Sequence, residues 1–315
     1  MSQSYTEGMK ENISDPCTLK YIGRFAPSPT GPLHFGSLVT AIASYLDAKA
    51  NNGLWLVRID DIDPPREPKG SSDKILQQLE EHGLYWDNEV LYQSQRSEAY
   101  LSAIKKLEEN DVIFSCHCSR KQFQEEAAVH NYPCQSDNPS TLSSLRLRVK
   151  DNELIEFYDL IQGYQNQSIK EHVGDIVLYR KEKLFSYQLA VVVDDAFQGV
   201  TNIIRGSDLL SVTPRQIYLQ KLLGLRTPVY GHIPVVVTKN GDKLSKQNLN
   251  AALLDTQSVQ KNLITAINWL GLIVPDKFLK RNNPDELIKW AIDKWNIDTV
   301  PCVMENSTSS KFYKA

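Results

Sequence analysis

Apolar residues change period several times along this chain, and each change predicts an element. "YIGRFA" (21–26) predicts a short strand, and the proline-rich "PSPTGP" after it predicts a loop. From Gly36 to about Asn51, Leu38, Ile42, Tyr45 and Leu46 recur at helical spacing, so a helix is expected there, ended by Gly53. "LWLVRI" predicts a buried strand, "DDIDPPREPKG" a loop, and "SSDKILQQLEEHG" and "RSEAYLSAIKKLEEN" two further helices. "FSYQLAVVVDD" and "GVTNIIRGSDLL" read as buried strands, and "KNLITAINWLGL" and "DELIKWAIDKW" as helices. Strands alternating with helices predict a parallel sheet in an α/β layer architecture.

The same texture divides the chain. Residues 1–20 read as a polar tail, and residues 21–110 with 184–240 as one discontinuous α/β body. Residues 111–183 are polar, hold a cysteine cluster and show short alternating strands such as "SLRLRVK", the mark of an insertion. Residues 241–315 combine a lysine-bearing loop with a short helical region.

Charge narrows the partners. Thirty-five cationic against 38 anionic side chains give −3, so no global positive field advertises nucleic acid. A polyanion would meet local patches instead. Arg146, Arg148 and Lys150 alternate along a predicted strand and offer one such face, although a solvated strand face explains them equally. No segment has the apolar length of a membrane span, and the polar start lacks the apolar core of a signal peptide. The expectation is a cytoplasmic protein with no membrane partner.

Three clusters carry candidate chemistry. In "PSPTGPLHFGS", His34 precedes Gly36 at the mouth of the first helix, where unpaired N–H groups and the positive end of the dipole favour a phosphate. A capped helix with an incidental histidine is the plainer reading of that stretch alone. In "GDKLSKQN", Lys243 and Lys246 flank a serine on a Gly/Asn-rich loop, suited to offsetting phosphate charge, although a solvated lysine turn is commoner. Cys116, Cys118 and Cys134 crowd one region and suit a tetrahedral zinc ion, with reduced buried cysteines as the alternative. Asp194 and Asp195 close an apolar run, either beginning a polar turn or reaching a ribose or a magnesium ion.

Taken together, the histidine–glycine helix entrance and the later K-L-S-K resemble the HIGH and KMSKS signatures of class I aminoacyl-tRNA synthetases. "RFAPSPTGPLHFGSL", "VRIDDIDPPRE", "YQSQR", "FSYQLAVVVDD", "IIRGSDLL" and "KLSKQ" run in the order found in glutamyl-tRNA synthetases, over roughly residues 20–250. The resemblance implies a Rossmann-like catalytic domain with a zinc-containing insertion. It implies ATP, with Mg2+, held by His34, Gly36, Ser37 and Lys246, the loop lysines Lys243 and Lys246 stabilising the transition state beside His34. It places L-glutamate against Arg24, Ser28, Asp60, Tyr187 and Arg205, with the two arginines on carboxylates, each gripping through a two-pronged fork. Asp60 stands where the family usually has Glu, one methylene longer. Related insertions carry a C-x-C…Y-x-x-x-C zinc site. At that spacing His130 is the residue four before Cys134 and becomes the fourth ligand, while a small deletion would restore Tyr132.

Only about seventy residues follow Lys246, too few for a helical anticodon-binding half. The shortened plan resembles the glutamyl-Q tRNA(Asp) branch of the family. Its members activate glutamate without tRNA and transfer it to queuosine at the wobble position of aspartate tRNA. The implied partner is then an anticodon stem-loop bearing queuosine, read by a monomer. The alternatives are a conventional glutamyl-tRNA synthetase without its anticodon domain, or a non-catalytic zinc-containing RNA-binding module.

Overall fold

The structure, a computed structural model, describes residues 20–118, 143–237, 258–280 and 282–307. The body is a mostly parallel sheet with helices on both faces. Strand β1 (Ile22–Phe25) leads through the Pro/Gly loop into α1 (Phe35–Ala50), then β2 (Leu54–Ile59), α2 (Ser71–Glu81), β3 (Leu91–Tyr92) and α3 (Ser97–Glu109). β1, β2 and β3 are parallel neighbours in that order. Parallel strands need crossovers, and α1 and α2 supply them.

The next strands divide. β4 (Ile113–Cys116), β5 (Ser144–Leu147) and β8 (Ile176–Tyr179) form a separate antiparallel sheet, in the order β4–β5–β8. The hairpin of β6 (Leu154–Asp159) and β7 (Gly163–Ser168), followed by the short α4 (Ile169–His172), instead joins the body. There the order is β7–β6–β10–β9, with β9 (Asn202–Gly206) and β10 (Val229–Ile233) parallel. Hydrogen bonds between Ile22 and Thr201 bring the β1 edge to this second group.

Helices α5 (Tyr187–Phe197) and α6 (Thr213–Leu223) pack with α3 over one face. The other face carries α1 with α7 (Val259–Trp269), α8 (Asp276–Leu279) and α9 (Pro284–Lys294). A short parallel pair, β11 (Val235–Val237) and β12 (Glu305–Ser307), lies beside α1. Leu38, Ile42, Tyr45 and Leu46 are all buried, as their spacing predicts, but so is most of the rest of α1. It is a central helix, covered by the sheet and by α7 and α9.

One expected strand is a helix. "YQLAVVVDDAF" forms α5, capped by Ser186, whose side chain accepts from the Leu189 N–H at 3.3 Å. Its three consecutive valines favour a strand by local preference, yet a segment buried against both α3 and α6 carries no polar stripe to reveal helical period. The cap and an eleven-residue length decide for helix.

Candidate active site

Two adjoining cavities open at the carboxyl ends of β1, β2 and β9. The first, about 450 Å³, is lined by Arg24, Ser28, His34, Gly36, Tyr187 and Arg205, with Ser37 beside His34. The second, about 550 Å³, shares Ser28, Thr30 and Tyr187 with it and reaches between the body and the β4–β5–β8 sheet. Asp60 lines the second rather than the first.

His34 is the N-cap of α1. Its Nδ1 accepts from the Ser37 N–H at 3.1 Å, which leaves the ring proton on Nε2, 2.9 Å from Ser37 Oγ. The imidazole is thus clamped over the first helical turn. Gly36 makes room for it, since a Cβ there would stand 3.3 Å from the ring. Gly31 shapes the preceding loop at φ 136°, a conformation that favours glycine.

Behind Ser28 and Tyr187 lies a buried charge network that no single motif announces. Arg24 spends its Nε and Nη2 fork on Asp195, at 3.1 and 3.3 Å. Arg58 donates from Nη1 to Asp195 at 2.6 Å and from Nε to Asp60 at 2.7 Å. Two cations and two anions balance, all four almost fully buried. Burial pushes the Asp195 carboxyl up, but Arg24 and Arg58 outweigh it and hold it below the ordinary carboxylate range. For Asp60 burial wins over Arg58 and Arg24, and its pKa is raised to about 6. Its Oδ2 has no partner among the described residues.

Asp194 points elsewhere on α5. It accepts from Gln93 Nε2, Arg96 Nε and Tyr100 Oη at 2.9, 2.6 and 2.6 Å, tying α5 to the start of α3. Neither Asp194 nor Asp195 begins a turn, and each is occupied by protein partners rather than facing solvent.

Arg205 is the penultimate residue of β9 and is 3% exposed. It donates from Nε to His232 Nε2 at 3.0 Å and from Nη2 to Thr213 Oγ1 and Gln216 Oε1 at 2.7 and 2.8 Å. Its buried Nη1 has no partner among the described residues. Both arginine forks expected to grip a carboxylate are therefore already filled by the protein. On each guanidinium Nη1 is the nitrogen without a partner among the described residues, and that of Arg205 is itself buried.

The structure thus gathers Arg24, Ser28, His34, Gly36, Ser37, Tyr187 and Arg205 around one cavity, with Asp60 next door. Lys243, Lys246, His130, Tyr132 and Cys134 lie outside the described residues. Cys116 and Cys118 are buried at the end of β4, and no group of three metal-ligating side chains occurs among the described residues. Of Arg146, Arg148 and Lys150, the last two are exposed while Arg146 is half-buried and donates to the Asp175 carbonyl. Sequence reasoning passed over Arg58 and His232. An arginine inside "LWLVRI" was the available signal, because a charge in a buried strand must be paired.

Residues 21–276 match the family described as tRNA synthetases class I (E and Q), catalytic domain, and the chain belongs to that family. Within it, the chain is similar to proteins named glutamyl-Q tRNA(Asp) synthetase. That of Dechloromonas aromatica is 46% identical over 291 residues, covering 89% of this chain and 96% of the relative. Those of Neisseria gonorrhoeae and Pseudomonas aeruginosa are 45% and 43% identical, covering 97% and 96% of those relatives. Among solved structures, a glutamate tRNA ligase from Elizabethkingia meningosepticum superposes with a TM-score of 0.77 at 22% identity. It covers 93% of this chain and 68% of that one, a likeness of fold.

Proposed function

We propose that this protein is an aminoacyl-tRNA synthetase-like ligase that activates L-glutamate with ATP and transfers it to queuosine at the wobble position of tRNA(Asp). The observation that carries the reading is the first cavity. It joins two buried arginines, each with an Nη1 that has no partner among the described residues, to the first turn of α1 and its clamped histidine. An amino-acid site beside a phosphate site is what adenylate formation requires. The near full-length similarity to glutamyl-Q tRNA(Asp) synthetases supports the acceptor.

In this reading Arg24 and Arg205 hold glutamate's carboxylates, Ser28 and Tyr187 line the site, and Asp60 takes the ammonium group. His34 and the first turn of α1, through Gly36 and Ser37, hold the ATP phosphates, with Mg2+ as the counter-ion. A glutamate carboxylate oxygen attacks the α-phosphorus and pyrophosphate leaves. Lys243 and Lys246 offset the charge that develops, and no tRNA takes part. A hydroxyl of the queuosine diol then attacks the glutamyl carbonyl and AMP leaves. The second cavity, bordered by Arg180 and Arg215, suits the incoming anticodon loop. Arg215 is partly buried and its Nε has no partner among the described residues.

Zinc fits as a structural ion. Cys116 and Cys118 stand two residues apart where β4 ends, two buried sulfur donors of the kind zinc takes. Cys134 and His130, or Tyr132, complete the proposed set. The protein acts as a monomer in the cytoplasm, where ATP and tRNA meet. No helix among the described residues is long and apolar enough to cross a membrane.

The test is ATP-dependent transfer of labelled glutamate to tRNA(Asp) with and without queuosine. Label on the queuosine-bearing tRNA alone is expected. Label on glutamate tRNA, indifferent to queuosine, would return the chain to conventional aminoacylation. His34→Ala and Lys246→Ala are expected to fold and to lose ATP–pyrophosphate exchange.

A further inference from the structure

Arg205 has five N–H groups, and the protein accounts for those on two of its three nitrogens. Nε donates to His232, and Nη2 to Thr213 and Gln216. A guanidinium accepts nothing, so His232 Nε2 must offer its lone pair, and the ring proton sits on Nδ1. That proton has a destination, because Nδ1 lies 2.5 Å from Asp159 Oδ2. The other Asp159 oxygen accepts the N–H groups of His232, Ile161 and Gln162, at 3.0, 3.1 and 2.9 Å. The carboxylate is fixed by its own bonds before it fixes the ring.

The sheet sets this line of residues. His232 and Arg205 are register partners on β10 and β9, and Asp159 ends β6 on the other side of β10. Asp159 and His232 are fully buried, and the Arg205 guanidinium lies over the Tyr230 ring, 5.2 Å from its centroid. Burial pushes His232 below its ordinary pKa and the Arg205 charge adds to this, against the pull of Asp159. A neutral ring is what the acceptor role needs.

We infer that His232 is a positioning residue for the amino-acid substrate: with Asp159 behind it, and Thr213 and Gln216 beside it, it turns Arg205 so that Nη1 alone meets the substrate carboxylate. The contact is end-on through one nitrogen, not a two-nitrogen fork. This rests on the reading of Arg205 as a glutamate anchor. An arginine held in this way loses no freedom on binding, so the device acts on glutamate affinity rather than on the later chemistry.

Two variants separate the acceptor from the ring. His232→Asn keeps an N–H for Asp159 but withdraws the acceptor from Arg205, whereas His232→Gln places an amide oxygen near the position of Nε2. In ATP–pyrophosphate exchange, His232→Asn is expected to raise KM for glutamate about tenfold, a typical cost for a bond to a charged group, with kcat and KM for ATP little changed. His232→Gln recovers most of that loss. Thr213→Val, which removes an Nη2 partner at nearly constant volume, raises the same KM and replaces His232→Asn if that variant does not fold. Arg205→Lys is the control. If it leaves KM for glutamate unchanged, the anchor reading itself falls. If it raises that KM while folded His232→Asn and Thr213→Val do not, the inference is overturned and the anchor reading stands. An equal loss with Gln and Asn, or a fall in kcat with KM unmoved, would also overturn it.

Discussion

Asp60 combines features that a substrate-binding carboxylate needs and a structural one does not. One oxygen is held by Arg58, and the other is buried without a partner among the described residues. Burial raises its pKa to about 6, so it gains its proton at a pH where ordinary aspartates remain charged. The sign follows directly. Below about pH 6 the neutral acid cannot pair with the glutamate ammonium, so kcat/KM for glutamate in the exchange reaction is expected to fall as pH drops from 7 to 5. Folding responds in the opposite sense: the native state binds the proton more tightly than the unfolded chain, so this residue's contribution to stability declines as pH rises through that window, up to about 6. Asp60→Asn should raise KM for glutamate and remove the inflection. A flat wild-type profile would show that Asp60 does not meet the substrate. The single residues were legible to different degrees. His34 and Gly36 could be read because a cap and a close approach leave a local signature. His232 could not, since its role depends on a register across β6, β9 and β10 that no local pattern encodes.

At the scale of elements, α5 holds the site together. Asp195 on this helix receives Arg24 from β1 and Arg58 from β2, while Asp194, one residue earlier, receives Gln93, Arg96 and Tyr100. Successive residues on a helix point about 100° apart, so one Asp–Asp pair serves two separate partners. As a strand these two would also have pointed apart, but to opposite faces of a sheet, and Tyr187 at the other end would not have turned its start toward the cavities. The valine run explains why the element was hard to read; the buried charges explain why the helix cannot be shifted. Asp195→Ala would leave two buried guanidiniums sharing only Asp60. Breaking such a pair typically costs about 3–5 kcal/mol, and a loss of that order is expected in urea unfolding. Arg24 would regain its fork without the geometry that aims Nη1, so exchange activity should fall even where the variant is fully folded. Full activity at wild-type glutamate KM would detach this network from the site.

Over the whole molecule, the proposed reaction draws on both cavities. The first brings Arg24, Arg205, His34 and Gly36 together; the second holds Asp60, lies between that site and the β4–β5–β8 sheet and includes Cys118 in its wall. The α/β plan with its parallel strands was legible from the alternation of strand and helix, because β1, β2 and β9 are each bounded by a loop signal of their own. The path of residues 111–183 was less so. β6 and β7 are short and polar like their neighbours, yet they extend the central sheet and deliver Asp159 to His232. Among the described residues of this segment, only β4, β5 and β8 stand apart, and with them the proposed zinc ligands Cys116 and Cys118. A metal there would brace the wall facing the acceptor and touch nothing that holds ATP. Cys116→Ser with Cys118→Ser should therefore lower zinc from one equivalent per chain and depress glutamate transfer to queuosine-bearing tRNA(Asp). ATP–pyrophosphate exchange measured without tRNA should survive. Elemental analysis beside both assays reads the outcome. Loss of both activities together would mean that the insertion sheet supports the whole body rather than the acceptor site. Transfer at the wild-type rate in zinc-depleted protein would remove the metal from the function altogether.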